Sequence, residues 1–222
     1  KSTAYLYAFP FAAGLAVRML WRERLRALPV LAAIALVALA IDAPHALRNQ
    51  RDDANPLGPT VENYSPEPLA YTVEGPGPRS FALNAVRNLA LHVVPPGPHL
   101  AAALERGIVA GLARLGLDAS DPRSTWQERL PNAPAFRGFR IKPHGADEYY
   151  TGAPLHLLLA GAALLGALRR PRAPRRALAL FAGVACGAAL FCLVLRWQPW
   201  HARLHLPLFV LAAPAVAAGL GE

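Results

Sequence analysis

Charged residues are scarce in this sequence. They make up 17% of the 222 residues, whereas an ordinary soluble domain has about 25%. Lysine occurs only as Lys1 and Lys142. So little charge is short of what a water-facing surface needs. The mean hydropathy of +0.26 also excludes a disordered chain, because disordered chains are poor in apolar residues.

The sequence also lacks the short motifs of common soluble enzymes. It has no GxSxG, no P-loop, no GxGxxG after a strand and no CxxC. Its two cysteines, Cys186 and Cys192, are spaced so that a helix would put them on different faces. A disulfide between them is therefore not expected, and they are interpreted as small packing residues.

Long apolar blocks are the main feature that is present. They cover residues 3–17, 27–41, 153–168, 177–195 and 204–221. A helix that crosses a membrane needs about 20 mostly apolar residues, within a range of roughly 17–25. The last two blocks reach this length alone, and the first three reach it with flanking residues. We therefore expect a mainly α-helical, polytopic membrane bundle with about five spans, rather than buried helices of a large soluble protein.

The net charge of +9 comes mainly from two short arginine-rich segments. They contain Arg18, Arg22, Arg24 and Arg26 between the first two blocks, and Arg169, Arg170, Arg172, Arg175 and Arg176 between the third and fourth. Short arginine-rich loops mark the cytoplasmic side of a membrane, and alternation of the spans puts both segments on that side. The charge is thus a topology signal: the expected partner is the lipid bilayer, and no nucleic acid is expected.

The expected organisation has three parts. Residues 1–41 form two transmembrane helices, residues 42–152 form an extracytoplasmic loop domain, and residues 153–222 form three transmembrane helices with an external re-entry at 196–205. Because the sequence starts with Lys1 directly before an apolar block, we expect the chain to be a piece of a longer membrane protein.

The extracytoplasmic domain is expected to be partly helical. Residues 42–79 are rich in Pro, Asn, Asp and Gly, which favours turns and extended backbone. Ser80 is predicted to cap a helix over 81–94, and Gly116 to end a second helix that begins near residue 99. Helical spacing relates two apolar sets: Phe81, Ala85, Val86, Leu89 and Val93, then Leu100, Leu104, Ile108, Leu112 and Leu115. These helices pack on each other or lie along the membrane surface.

A dense polar and aromatic set marks the re-entry at 196–205. It comprises Arg196, Trp197, Trp200, His201, Arg203 and His205. Tryptophan is an ordinary anchor at the membrane interface. Arginine next to apolar sequence is costly without a partner, and a guanidinium matches phosphate oxygens well. Binding of a lipid or substrate phosphate and plain membrane anchoring both stay open.

A second polar set enters the third apolar block from outside. It contains His144, Asp147, Glu148 and His156. The two carboxylates can act as a base, orient a hydroxyl or bind a metal, but the spacing matches no zinc motif, so no metal site is predicted. A polar lid that caps the third span is an equal alternative. Lys1, at the outer end of the first span, meets an anionic headgroup or extends to the interface.

Five segments carry a resemblance to a known family. They are KSTAYLYAFP, SFALNAVRNLALHVV, LGLDASDPRSTW, DEYYTGAPLHLLL and RWQPWHARLHLPLFVLAAP. In pattern and order they resemble bacterial polytopic glycosyltransferases of the GT-C class, related to dolichyl-phosphate-mannose protein mannosyltransferases and aminoarabinose transferases. The resemblance implies an inner-membrane enzyme with residues 42–152 facing the periplasm or exterior. Such an enzyme moves a sugar from a polyprenyl-phosphate carrier to a glycan, lipid or protein acceptor, with inversion at the sugar carbon.

The resemblance also implies roles for the two polar sets. Arg196, His201, Arg203 and His205, with Lys1, would lie near the phosphate of the carrier, supported by His144, His156, Trp197 and Trp200. The acidic catalytic residue of the class lies in the first external loop and has no counterpart here, so it is expected upstream, with Asp147 and Glu148 as weaker candidates. The polyprenyl-phosphate-linked sugar is the only donor implied, and a divalent metal stays open. A non-enzymatic transporter or assembly scaffold is the main alternative.

Overall fold

The computed structural model describes residues 3–53, 56, 71–126, 138–143, 152–169 and 175–220. Within these ranges the chain is mainly α-helical, and its only β structure is two isolated bridges. The predicted helical class is confirmed at this level. The chain divides into two compact units, Lys1–Leu69 and Ala70–Glu222.

The first unit is a helical hairpin. Helix α1 spans Thr3–Glu23 and helix α2 spans Leu28–Asp53, with a 3-10 turn at Arg24–Ala27 between them. The hydroxyl of Tyr5 donates a hydrogen bond to the carboxylate of Asp42, which joins the two helices away from the turn.

Helix α2 continues beyond the predicted span. Residues 42–53 were expected in turns and extended backbone, but they are helical, with Pro44 inside the helix. The apolar residues before them already form a helix. Each further residue therefore extends that helix by one hydrogen bond, without the cost of nucleating a new one. One turn later Arg48 donates to Nδ1 of His45 at 3.0 Å, a spacing that only helical backbone brings together.

The described residues of the second unit form six further helices. They are α3 (Pro78–Ala90), α4 (Pro98–Arg114), α5 (Pro154–Arg169), α6 (Arg175–Val194), the short α7 (His201–Leu204) and α8 (Leu206–Leu220). Helix α8 packs on both α5 and α6, and α3 packs on α6. A Cβ at Gly219 would lie 2.7 Å from the carbonyl oxygen of Ala163, so only glycine allows the backbones of α5 and α8 to approach this closely.

Within the described residues each of the five apolar blocks forms a helix over most of its length, but the helices differ in length. Two helical stretches among the described residues are long and apolar enough to cross a membrane: the stretch Thr3–Asp52, which includes the 3-10 turn, and Arg175–Val194. Helices α5 and α8 have 16 and 15 residues and are apolar but shorter. The described residues therefore contain two candidate spanning stretches, and the bundle of five spans stays a prediction.

Of the two helices of the predicted external domain, α4 begins at Pro98, close to the predicted start, and α3 differs from the prediction at both ends. Helix α3 begins at Pro78 rather than after Ser80 and ends at Ala90. Ser80 lies in its first turn, where its Oγ accepts the N–H of Gly77 at 3.0 Å. The N-cap is thus Gly77, because Pro78 has the fixed φ of a first helical residue. The predicted cap at Gly116 is confirmed: its φ is +69°, and its N–H donates to the carbonyl of Ala113 at 2.9 Å.

The apolar repeat of α3 does not form its buried face. Val86, Leu89 and Val93 are exposed, while the side chains of Asn84 and Arg87 are fully buried. Helix α4 follows the expected pattern in part. Leu104, Ile108 and Leu112 pack in or against the core, while Leu100 and Leu115 are exposed. The polar face of α3 is therefore turned inward, and this arrangement builds the site.

Candidate functional site

The segment that follows α6 is held between two stretches of the second unit. The N–H of Arg196 donates to the carbonyl of Tyr71 at 2.8 Å, and the N–H of Trp197 donates to that of Ser124 at 2.8 Å. In return the carbonyl of Trp197 accepts the N–H of Trp126 at 2.9 Å. These bonds fix where the 196–205 segment leaves the helix.

Arg196 already has protein partners. Its Nε donates to the carbonyl of Thr72 at 2.9 Å, and its guanidinium forms an ion pair with Glu74. Arg196 as a whole residue is 9% exposed. Arg196 thus joins the end of α6 to residues 72–74, and contact with a carrier phosphate stays a prediction.

Arg87 is a buried arginine that the sequence analysis did not single out. Its Nη1 donates to Oδ1 of Asn84 at 3.1 Å and to Oγ of Ser124 at 2.9 Å, and its Nη2 donates to the carbonyl of Asp118 at 3.2 Å. Burial lowers the pKa of Arg87 to about 10, so the group keeps its charge at neutral pH. Among the described residues its Nε has no hydrogen-bond partner. Arg87 ties α3 to the loop that holds Trp197.

Two asparagines on α3 complete the attachment to α6. Nδ2 of Asn84 donates to the carbonyls of Cys192 and Leu195, at 2.9 and 3.0 Å. Carbonyls in the last turn of a helix lack partners within it, so Asn84 satisfies the end of α6. Asn88 lies one turn later, and its Oδ1 accepts from Nδ1 of His201 at 3.1 Å.

His92, His201 and His205 form a buried group, here called the histidine cluster. Each is at most 5% exposed. The N–H of Ala153 donates to Nδ1 of His92 at 3.1 Å, so that nitrogen carries no proton. The proton of His92 is then on Nε2, which lies 2.8 Å from Nδ1 of His205 and donates to it. His205 in turn carries its proton on Nε2. This chain of bonds requires both rings to be neutral.

Aromatic contacts pack the cluster and keep water away from it. The ring of Phe191 lies edge-on to His201 and His205, with ring centres 4.7 and 4.8 Å apart. Phe209 lies edge-on to His92 at 5.2 Å. Burial lowers the pKa of His92 to about 4 and that of His201 to about 3. The rings of His92 and His201 are therefore neutral at physiological pH. For His92 this agrees with the hydrogen bonds described above.

An apolar groove of about 420 Å³ lies beside the cluster. Helices α3, α5, α6 and α8 form its walls. Phe81 and Leu89 contribute from α3, Phe181 from α6 and Phe209 from α8. Asn88, His92 and His205 line the groove with side chains that can form hydrogen bonds through nitrogen. This groove, referred to below as the alanine groove, joins an apolar wall to a polar, uncharged patch.

The remaining expected site residues are spread around this centre. Trp197 is fully buried and packs edge-on against Phe139, while Trp200 is half-buried and packs on Trp126. Arg203 is exposed. His156 is also exposed, with its ring centre 5.6 Å from that of Phe209. Lys1, His144, Asp147 and Glu148 lie outside the described residues.

The structure thus brings His201 and His205 together and adds His92, which the sequence analysis missed. Three more missed residues are Asn84, Arg87 and Asn88. A signal was present in the sequence, because Asn84, Asn88 and His92 recur every fourth residue within the predicted helix 81–94, although α3 itself ends at Ala90. In the described ranges no group of three or more His, Cys, Asp or Glu side chains is placed to hold a metal ion.

Comparisons with protein-family models, with curated proteins and with solved structures found no match for the chain.

Proposed function

We propose that the chain forms part of a membrane glycosyltransferase that moves a sugar from a polyprenyl-phosphate carrier to an acceptor outside the cytoplasm. The observation that carries the proposal is the alanine groove, which runs along the candidate span α6 and ends at a polar cluster beside the C-terminal end of that helix. An enzyme with a lipid-linked substrate needs this combination, because the apolar chain and the reacting polar group must be held side by side.

The proposal includes five spans. In the first unit, α1 has 21 residues and α2 has 26, and each alone exceeds the roughly 20 that a bilayer needs. In the second unit α6 is long enough, and α5 and α8 are the shorter pair. The close α5–α8 contact at Gly219 favours a location of this pair within the membrane, because small residues allow helices to pack closely in lipid.

The distribution of polar groups favours a reaction at the membrane interface over transport across the membrane. Transporters of the broken-helix type place polar residues near the bilayer midplane. Here Asn84 binds the carbonyls of the last turn of α6, and the histidine cluster is beside it. Polar groups thus gather at one end of the candidate span, where a lipid headgroup would lie.

The chemistry of transfer needs one base and one counter-charge. A carboxylate, with Asp147 and Glu148 as the candidates in this sequence, would take the proton of the acceptor hydroxyl. The hydroxyl oxygen attacks the sugar carbon from the side opposite the carrier, and the bond from that carbon to the phosphate oxygen breaks. The phosphate leaves with the electron pair, and an arginine compensates its charge. Arg203 is the exposed arginine of the re-entry and is assigned this role.

A turnover assay tests the proposal. Membranes that contain the protein are supplied with polyprenyl-phosphate-linked sugar, and loss of the donor and glycosylation of the acceptor are both measured. We expect Arg203→Ala to slow transfer at least about tenfold, because the departing phosphate loses a counter-charge. Arg203→Lys should restore part of the rate. Arg106→Ala, at an exposed position of α4, is the matched control and should have no effect.

Two results would contradict the proposal. One is equal transfer by the wild type and Arg203→Ala, which would remove the phosphate role of this residue. The other is movement of intact lipid-linked sugar across the membrane without any transfer, which would establish the transporter alternative.

A further inference from the structure

The alanine groove is wide because its side chains are small. Six of the residues that line it are alanine: Ala85, Ala160, Ala185, Ala188, Ala189 and Ala212. Protein interiors are normally packed to the density of organic crystals. An unfilled apolar space of about 420 Å³ is instead within the range of small-molecule sites, roughly 300–1,000 Å³.

The groove opens towards the surface of the molecule on the side of α3. Leu89 lines the groove and is also 52% exposed. Val86, on the same helix, and Val93, just beyond the end of that helix at Ala90, are exposed as well. A route lined by apolar side chains therefore connects the groove with the outside of the protein, next to the candidate span α6. A membrane lipid chain can enter by that route without crossing water.

The groove carries no formal charge. Of the described residues that line it, none is Arg, Lys, Asp or Glu. An anionic group in such a site would lose its hydration without gaining a counter-ion, which is costly. A lipid that binds here with its polar end inside the groove must therefore have an uncharged polar end.

The histidines cannot supply the missing charge without breaking a hydrogen bond. A proton added to Nδ1 of His92 would oppose the N–H of Ala153. A proton added to Nδ1 of His205 would oppose the Nε2–H of His92. The pair is therefore held as neutral rings. Since Nδ1 of His205 is occupied, its Nε2–H is the remaining polar group of a ring that lines the groove.

We propose that the alanine groove binds the apolar chain of a lipid whose polar end is an uncharged oxygen, such as an alcohol, and that Nε2–H of His205 donates a hydrogen bond to that oxygen. The binding itself does not require the chain to transfer sugar. One extension rests on the proposed function: the lipid in this groove is the acceptor of the sugar, while the charged carrier lies outside the groove.

Photocrosslinking tests the proposal. The full chain is placed in phosphatidylcholine nanodiscs with a diazirine-bearing prenyl alcohol, and the labelled peptides are identified by mass spectrometry. We expect labels on α3, α6 and α8. Unlabelled geranylgeraniol should compete at least about tenfold better than geranylgeranyl phosphate, because the phosphate has no counter-charge in the groove.

Three variants separate groove binding from general partition into lipid. Ala188→Trp fills the groove and should abolish labelling, whereas Leu100→Trp, at an exposed position of α4 away from the groove, should leave it unchanged. His205→Phe keeps a ring and removes the N–H. It should weaken competition by the alcohol about fivefold, with no change for the matching hydrocarbon.

The proposal is overturned if the phosphate competes as well as the alcohol, or if labelling persists in Ala188→Trp. Thermal unfolding shows whether Ala188→Trp is folded. If it is not, the comparison of alcohol and hydrocarbon in His205→Phe decides, and an equal loss for both overturns the hydrogen bond. Neither result depends on sugar turnover, so a failed transferase assay and a failed binding assay are distinguishable.

Discussion

At the residue scale, the most informative side chains are those buried with a hydrogen-bonding group. Asn84 and Arg87 lie on the inner face of α3 and His92 lies in the turn that follows it. They have partners on segments 31 to 113 positions away in the chain. A local pattern shows that such residues share a face of a helix. It does not show which face is buried, because that depends on partners far along the sequence.

The neutral state of the histidines predicts a pH dependence of stability. In the folded chain the pKa values of His92 and His201 are about 4 and about 3, against about 6.5 for an unfolded histidine. Below pH 6.5 the unfolded chain therefore binds more protons than the folded one. Stability is full above that pH and falls as the pH drops towards 4. At pH 5 the loss is about 2 kcal/mol for each ring.

Thermal unfolding in detergent at pH 8, 7, 6 and 5 measures this dependence. His201→Gln should flatten the pH profile in part, since one of the three buried rings is gone. His99→Gln, at an exposed position, is the matched control and should keep the wild-type profile. A midpoint that stays constant from pH 8 to 5 would show that the rings take up protons in the folded state.

Arg87→Ala should lower the free energy of unfolding by roughly 2–4 kcal/mol. The substitution leaves Asn84, Ser124 and the carbonyl of Asp118 without the donor that now serves them. Chemical denaturation measures the effect. Arg106→Ala is exposed and should change stability by less than about 0.5 kcal/mol. Equal stability of the two variants would mean that the buried guanidinium is not a structural tie.

At the element scale, helix existence could be predicted from the sequence, and helix environment could not. The five apolar blocks and the Gly116 cap were visible because both are local properties. The outward-facing apolar side of α3 was not, since exposure of Val86 and Leu89 follows from the inward bonds of Asn84 and Arg87. The ion pair of Arg196 with Glu74 was hidden for the same reason.

Close packing of α5 and α8 predicts a sharp difference between two glycines. A Cβ at Gly219 would meet the carbonyl oxygen of Ala163 at 2.7 Å, whereas a Cβ at Gly161 meets nothing within 4 Å. Gly219→Ala should destabilise the protein by about 1–3 kcal/mol through overpacking. Gly161→Ala should be neutral or stabilising by up to about 1 kcal/mol. Thermal unfolding of the two variants compares them, and similar midpoints would refute close packing at Gly219.

At the scale of the whole molecule, the proposed function depends on how α6 is oriented in a membrane. Its first residues are Arg175 and Arg176, and its last turn is bonded to Asn84. Arginine lies at one end of the helix and the histidine cluster at the other. The proposed function places the arginine end on the cytoplasmic side, because short arginine-rich segments mark that side. The proposed enzyme requires this direction, because the carrier, the acceptor and the histidine cluster must be on the outer side.

Side-specific labelling is the most direct measurement of that claim. Arg203→Cys and Arg175→Cys are each introduced into a chain in which Cys186 and Cys192 are replaced by Ala, and right-side-out membrane vesicles are treated with a membrane-impermeant maleimide. We predict that Arg203→Cys is labelled in intact vesicles and Arg175→Cys only after permeabilisation. Labelling of both positions in intact vesicles, or the reverse order, would contradict the account.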